Sequence, residues 1–301
     1  MMRATRLRPA VLAAAALPLV LLATPASAQT GRLEDTDWRQ TDRHDALAAR
    51  GETAQGYRRY IELRFGPYLP GSIDRADPGL RVGPDGKRAT PFADAFGLDC
   101  DRDPPVRTGH VSPRLYVGLE VDYLPLRMPY VGSIGFGLGW GFTRFANRAL
   151  YSGKWKCSSE TTSLIVMPMH ASLVLRVDEL IRRTGVPFVP YGKLGAGLTW
   201  WRAANDSGTE KFCGTPDAPR ACERGDGVAA HGNGLLPTLH LAAGLMLAID
   251  ALDPSRKAGL RDSGIGHAYA FGEVYSDSVT LGQHVLHVGT TSWVAGLAID
   301  L

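Results

Sequence analysis

The feature that most constrains this chain is a strict alternation in which Ile134, Phe136, Leu138, Trp140 and Phe142 interleave with Gly135, Gly137, Gly139 and Gly141. Alternate side chains of a strand point to opposite faces of a sheet, so a wide apolar face here backs onto a nearly bare one. Seven more segments share the period: residues 57–69, 114–124, 163–177, 187–201, 238–252, 266–276 and 290–301. In 57–69, Ile61, Leu63 and Phe65 oppose Tyr60, Glu62, Arg64 and Gly66; in 114–124, Leu115, Val117, Leu119 and Val121 oppose Tyr116, Gly118, Glu120 and Asp122. Segment 163–177 is apolar on both faces and contains Pro168, so it reads as a strand rather than a helix. The orientation of 266–276, with Tyr269, Phe271, Glu273 and Tyr275 on one face, stays open.

Long polar stretches follow the first, third, fifth and seventh segments, at 70–113, 146–162, 202–237 and 277–289, and short ones follow the second, fourth and sixth. The connection 178–185 can hold a helical turn through Leu180 and Ile181. An even number of strands of about ten residues, with long loops on one rim and short turns on the other, is the layout of an outer-membrane barrel. The fold expected is therefore all-β: an antiparallel eight-stranded transmembrane β-barrel over residues 57–301. A soluble sandwich also alternates, but its solvent face should be polar. Here the face opposite the apolar one is Gly, Ala and isolated charges, which suits the filling of a narrow barrel.

The N-terminus fits export. Arg3, Arg6 and Arg8 precede an apolar run from Ala10 to Leu22 and then Ala26, Ser27 and Ala28, which reads as a signal peptide over 1–28 cut before Gln29. The run is shorter than the roughly 20 residues of a helical span, and no Cys follows the cut to take a lipid. Residues 29–56 are polar and read as an N-terminal arm. Removing three arginines from 33 basic residues balances the 30 acidic ones, so no nucleic-acid partner is expected on charge grounds. No mature segment approaches 18 uninterrupted apolar residues, so any membrane span must be made of strands.

These residues resemble an outer-membrane β-barrel family described from myxobacteria and their relatives, whose members are secreted barrels of unassigned role. The likeness rests on Tyr60-Ile61-Glu62-Leu63-Arg64-Phe65-Gly66-Pro67-Tyr68, on the string from Pro187 to Gly197 and on that from Gly264 to Glu273, and it spans most of 57–301. It implies the outer membrane of a Gram-negative bacterium, with that membrane's lipid and the barrel-assembly machinery as partners, and no reaction. One residue departs: Leu301 stands where barrels inserted by that machinery often end in an aromatic.

Four cysteines, Cys100, Cys157, Cys213 and Cys222, fall in the long-loop stretches. In an exported chain they imply two disulfides, Cys213 with Cys222 across a short Pro-rich loop and Cys100 with Cys157 tying the first loop to the second. The paired spacing of a four-Cys zinc site is absent, and neither metal nor cofactor is expected. The inward faces carry Glu62, Arg64, Glu120, Asp122, Arg176, Lys193, Asp250, Glu273 and Asp300, which should pair because unpaired charges in a narrow interior are costly. They read as a network plugging the lumen, with a proton or ion pathway as the alternative. His170 and Ser172 are the one hint of an outer-membrane lipid hydrolase, a weak one. Tyr57, Tyr60, Tyr68, Tyr123, Tyr130, Trp140, Trp200, Trp201 and Trp293 fall near strand ends, where rings can occupy the headgroup zone, though core packing explains some of them equally well. The expected role is structural, or binding of a surface ligand through the loops; a small-solute channel is the alternative.

Overall fold

The computed structural model describes residues 59–71, 81–82, 88–89, 91–108, 110–151, 155–184, 186–215, 218–221, 230–249, 265–279 and 287–301. The proposed signal peptide, the polar arm, Tyr57, Cys222 and Asp250 lie outside them. Eight strands form the body: β1 (Arg59–Tyr68), β2 (Arg114–Met128), β3 (Gly132–Leu150), β4 (Cys157–Arg176), β5 (Phe188–Asn205), β6 (Asn233–Ala248), β7 (Ala268–Val279) and β8 (Thr290–Asp300). Each pairs antiparallel with its neighbours in sequence, and β8 pairs with β1. The sheet is closed and has no free edge.

The register sets the shape. A line of paired residues from Phe142 runs through Val117, Phe65, Ala295, Gly272, Leu245 and Pro190. Extending the last pairs by one residue, through Val177, it returns to β3 at Gly132, ten residues from its start. A stagger of ten over eight strands tilts them about 40° to the barrel axis, at which each residue advances about 2.5 Å along it. The ten steps from Ile134 to Arg144 therefore rise about 25 Å, the height of the apolar band of an outer-membrane barrel.

That band is on the outside. Leu138 is 68% exposed, Leu115 67%, Val274 61% and Leu297 57%, with Leu63, Leu119, Leu194 and Leu241 also outward. Contiguous apolar exposure on this scale is incompatible with a monomer in water and matches a hydrocarbon surround. Among the described residues, no helix is long and apolar enough to cross a membrane. The strands do so instead.

Several boundaries differ from the sequence reading. Strands β3 and β4 continue to Leu150 and from Cys157, so most of the expected loop 146–162 is a hairpin standing above the band. β5 and β6 likewise extend into the expected loop 202–237, and within it Lys211–Thr215 pairs with Ala218–Ala221. Polar residues conceal this because the ladder above the band meets water on its outer side, where no apolar alternation is required. Cys157 and Cys213 consequently lie in strands rather than loops. The connection after β6, expected to be short, spans 249–267. Pro125 sits where the β2–β3 register shifts between Tyr123 and Leu126, a bulge that accommodates its missing N–H. The helical turn expected in 178–185 is present as Glu179–Thr184.

Candidate functional site

Inside the barrel, side chains are stacked in layers, because alternate residues from all eight strands converge on one axis. Near the short-connection rim Tyr60 and Tyr269 face each other, with ring centroids 6.4 Å apart. Both Tyr60 and Tyr68 are buried in the lumen, so of the two placements left open for them, headgroup zone and core packing, it is the interior that holds them. Phase decides it: in β1 the even residues carry the inward set that includes Glu62 and Arg64. The same rule resolves β7, whose Tyr269, Phe271, Glu273 and Tyr275 all point inward.

The next layer is ionic. Arg64 reaches Glu120 at 2.7 Å and Glu273 at 2.5 Å, with Nε 3.5 Å from Glu62. Lys193 Nζ lies 2.8 Å from Glu62 and 3.0 Å from Glu120, and 3.8 Å from both Asp122 and Glu273. Arg176 Nη2 bridges Glu62 at 2.6 Å and Asp122 at 2.5 Å, while its guanidinium lies 3.8 Å from the centre of the Tyr60 ring. These seven groups come from five strands, and none is more than 4% exposed. The glycines of β3 make the room. A Cβ at Gly137 would come 2.5 Å from Asp122 Oδ1, and one at Gly139 or Gly141 would strike the rings of His170 or Tyr116.

Of the nine charges expected to pair inside, seven meet in this layer. Asp300 is buried elsewhere, at the short-connection end, where it accepts a hydrogen bond from the backbone N–H of His267. Asp250 lies outside the described residues. Four carboxylates face three cations, so the layer carries one formal negative charge in excess unless it holds a proton. Its acids Glu62, Glu120 and Asp122 sit close enough together to resemble a metal cage. Lys193, Arg64 and Arg176 already pair with at least one oxygen of each, and a further cation beside three ammonium and guanidinium groups is disfavoured.

Above the ions lie groups that the sequence did not single out as a unit. The His170 and His240 rings stack 3.7 Å apart at an interplanar angle of 7°. His240 Nδ1 is 2.7 Å from Asp277 Oδ1, and His170 Nε2 is 3.6 Å from Glu120 Oε2. Tyr116 stacks between Tyr68 and Tyr275, at 6.1 and 6.0 Å. Ser172 is buried below His170, and its Oγ has no hydrogen-bond partner among the described residues, so no hydrogen bond joins the two as nucleophile and base. An inward phase shared by His170, His240 and Asp277 was the available signal, but cross-strand register is needed to align them.

The top layer closes against the first long loop. There Pro91–Phe96 forms a short helix that packs Phe92 and Phe96 on the inward Phe145 of β3, at 5.4 and 6.0 Å. The string Pro91-Phe92-Ala93-Asp94-Ala95-Phe96-Gly97 carried the signal: Pro in the first turn, two rings one turn apart, and Gly just past the end. The loop is then fastened to the wall. Cys100 and Cys157 are disulfide-bonded, with Cα atoms 5.8 Å apart. Asn147 Nδ2 donates to Leu98 O at 3.1 Å, and Trp155 Nε1 to Pro105 O at 2.8 Å. Arg107 pairs with Asp94 at 2.8 Å and lies 4.9 Å from the Trp155 ring. Cys213 is also disulfide-bonded.

No protein-family model matches the chain, and no curated protein sequence matches it. Two crystal structures of Ail, the attachment invasion locus protein of Yersinia pestis, are similar to it at low identity. One, in complex with the heparin analogue sucrose octasulfate, shows 11% identity and a TM-score of 0.35; the other shows 10% and 0.33. Each alignment covers 81% of this chain and 97% of the other.

Proposed function

We propose that this chain is an outer-membrane barrel whose lumen is closed by its own side chains and whose role is structural or carried by its surface loops, rather than catalytic. The observation that carries the reading is the ionic layer: seven buried charges from five strands bond one another across the interior instead of lining a water-filled path. Eight strands enclose a space just wide enough for side chains, and here Tyr, His and Phe layers stand on the long-loop side of the ions. The outward band calls for the lipid of that membrane as its surround and for the barrel-assembly machinery to insert it. The disulfide and the Arg107–Trp155 contact fasten residues 91–108 of the first loop to the wall, which favours contact with an external ligand at low entropic cost.

Planar-bilayer recording tests this. The wild-type protein should give no stable conductance steps. Steady single-channel openings from the wild type, reduced by Lys193→Ala, would establish the small-solute channel instead.

A further inference from the structure

Charge on the outer face of the barrel is confined to one sector and one sign. The phase that turns Arg64, Arg176 and Lys193 inward puts Arg144 and Arg148 of β3 and Arg202 of β5 outward, near the long-loop end. Among the described residues, no Asp or Glu stands on the outward phase of the eight strands. Two of the arginines share a row: Ile165 of β4 pairs with Arg144 on one side and with Arg202 on the other. Two strand spacings set their backbones about 10 Å apart, a span that two guanidinium arms can close over Ile165.

The stagger fixes their depth. Lines of paired residues descend from β3 through β2, so they climb from β3 through β4 to β5, by about 3 Å a strand at this tilt. Arg144 closes the apolar band, and Arg202 stands about 6 Å above it, in the layer that headgroups occupy outside the hydrocarbon. Trp200, two residues down β5, returns to the level of Arg144 and pairs with Met167; Phe142 lies beneath Arg144 on the same outward phase. Among the described residues neither Arg144 nor Arg202 has a carboxylate at ion-pair distance, whereas Arg102, Arg107, Arg127 and Arg148 each have one. Arg202 Nε is also buried without a hydrogen-bond partner among them. Asp206, just beyond the end of β5, accepts from the backbone N–H of Thr161 at 3.0 Å. Two unpaired guanidinium groups at headgroup height, over a row of apolar side chains, have the polarity of one amphiphile.

We propose that Arg144 and Arg202 form a binding site for the phosphate of an anionic lipid in the leaflet on the long-loop side, its acyl chains descending over Met167, Trp200 and Phe142. Phosphate matches the forked donors of guanidinium, and the row beneath offers acyl chains contact without hydrogen-bonding demands. A second copy of the chain fits less well, because it would have to bring carboxylates from an outward phase that carries none among the described residues. Arg148 belongs to the first loop rather than to this site: it lies about 10 Å above Arg144 and reaches Cys100 O at 3.5 Å and Asp101 at 3.9 Å. The site rests on the membrane location proposed above.

The test uses the full folded chain in phosphatidylcholine vesicles containing lipids with brominated acyl chains, which quench nearby tryptophan. The Trp200 contribution is the difference between each protein and its Trp200→Phe counterpart. At Trp200, brominated phosphatidylglycerol should associate more tightly than brominated phosphatidylcholine, by about fivefold for each arginine engaged. Arg144→Gln and Arg202→Gln should each lower that preference about fivefold, and Arg148→Gln should leave it as in the wild type. Heat-modifiable gel mobility checks folding, and Arg144→Gln, at an exposed position, decides the matter if Arg202→Gln does not fold. Equal quenching by the two lipids, or a preference unchanged in either Arg144→Gln or Arg202→Gln, would overturn the site. An equal drop in Arg148→Gln would also overturn it, as the mark of diffuse surface charge. So would a disulfide-linked dimer of Ile165→Cys in dilute vesicles, which would assign the row to a second copy. Absence of quenching by either lipid would instead overturn the membrane location, and the site with it.

Discussion

Replacing Lys193 with Met keeps an unbranched side chain of nearly the same length and removes its charge. In the folded protein Lys193 Nζ lies within 3.0 Å of carboxylate oxygens of Glu62 and Glu120 and is wholly buried. The substitution leaves four acids against Arg64 and Arg176, so the excess of negative charge rises from one to two, that is, by a full unpaired carboxylate. Breaking a buried pair by removing one partner costs about 3 to 5 kcal/mol, because the remaining charge is left without water or counter-ion. Lys193→Met should lower unfolding free energy by that amount, measured as the shift in the urea midpoint of the vesicle-embedded barrel by gel mobility. Adding Glu62→Gln restores the wild-type excess. Arg176 keeps Asp122 at 2.5 Å, and Arg64 keeps Glu120 and Glu273. The double variant should therefore recover more than half of the loss, a coupling that independent sites would not show. A loss below about 1 kcal/mol, or a double variant less stable than either single one, would refute the reasoning, since both would mean that water already screens the layer.

Leu138→Arg, on the outer face near the middle of the band, should destabilise the barrel in lipid by about 2 to 4 kcal/mol, whereas the same change on a water-exposed face would be nearly neutral; urea titration in vesicles distinguishes them. Alkylation without reductant should label neither Cys100 nor Cys157. Reduction should speed proteolysis between Leu98 and Val111 while leaving heat-modifiable mobility intact, because the bond ties a loop to the wall rather than strand to strand. Phe145→Ala should cost about 3 kcal/mol or more by removing the ring on which Phe92 and Phe96 pack, seen as a lowered urea midpoint with faster cleavage of the same loop.

Period two made the strands legible, and it put the eight charges among the described residues on the inner face, because lipid outside forces large apolar residues onto alternate positions. It fails where that force is absent. Above the band the ladder from Ala146 to Leu150 and from Cys157 to Thr162 meets water, so nothing in its composition marks it as strand. Tyrosine is ambiguous for a related reason: a ring with a hydroxyl suits both a headgroup zone and a polar lumen, and only the phase of β1 puts Tyr60 and Tyr68 inside. The His170–His240 stack and the separation of Asp300 from the ionic layer depend on the stagger between strands, which a single sequence does not state.

The ionic layer also bears on how one register is chosen over another. Lipid contact gives each outward face a general preference for apolar residues, but sliding a strand by two residues would keep that preference satisfied, so the outer face alone specifies pairing weakly. A slip by one moves every inward side chain outward. For β1 that would carry Glu62 and Arg64 into hydrocarbon, and for β2 Glu120 and Asp122, each charge costing up to a few kcal/mol near the midplane. A slip by two keeps the faces but displaces a strand by about 7 Å along its neighbour, more than any of the contacts that join Arg64 to Glu120 and Glu273 or Arg176 to Glu62 and Asp122 can span. The charges on β1, β2, β4, β5 and β7 thus penalise both kinds of error. In β3 the stripe of Gly137, Gly139 and Gly141 adds a steric version of the same constraint, since only that strand, in that position, leaves space for Asp122, His170 and Tyr116.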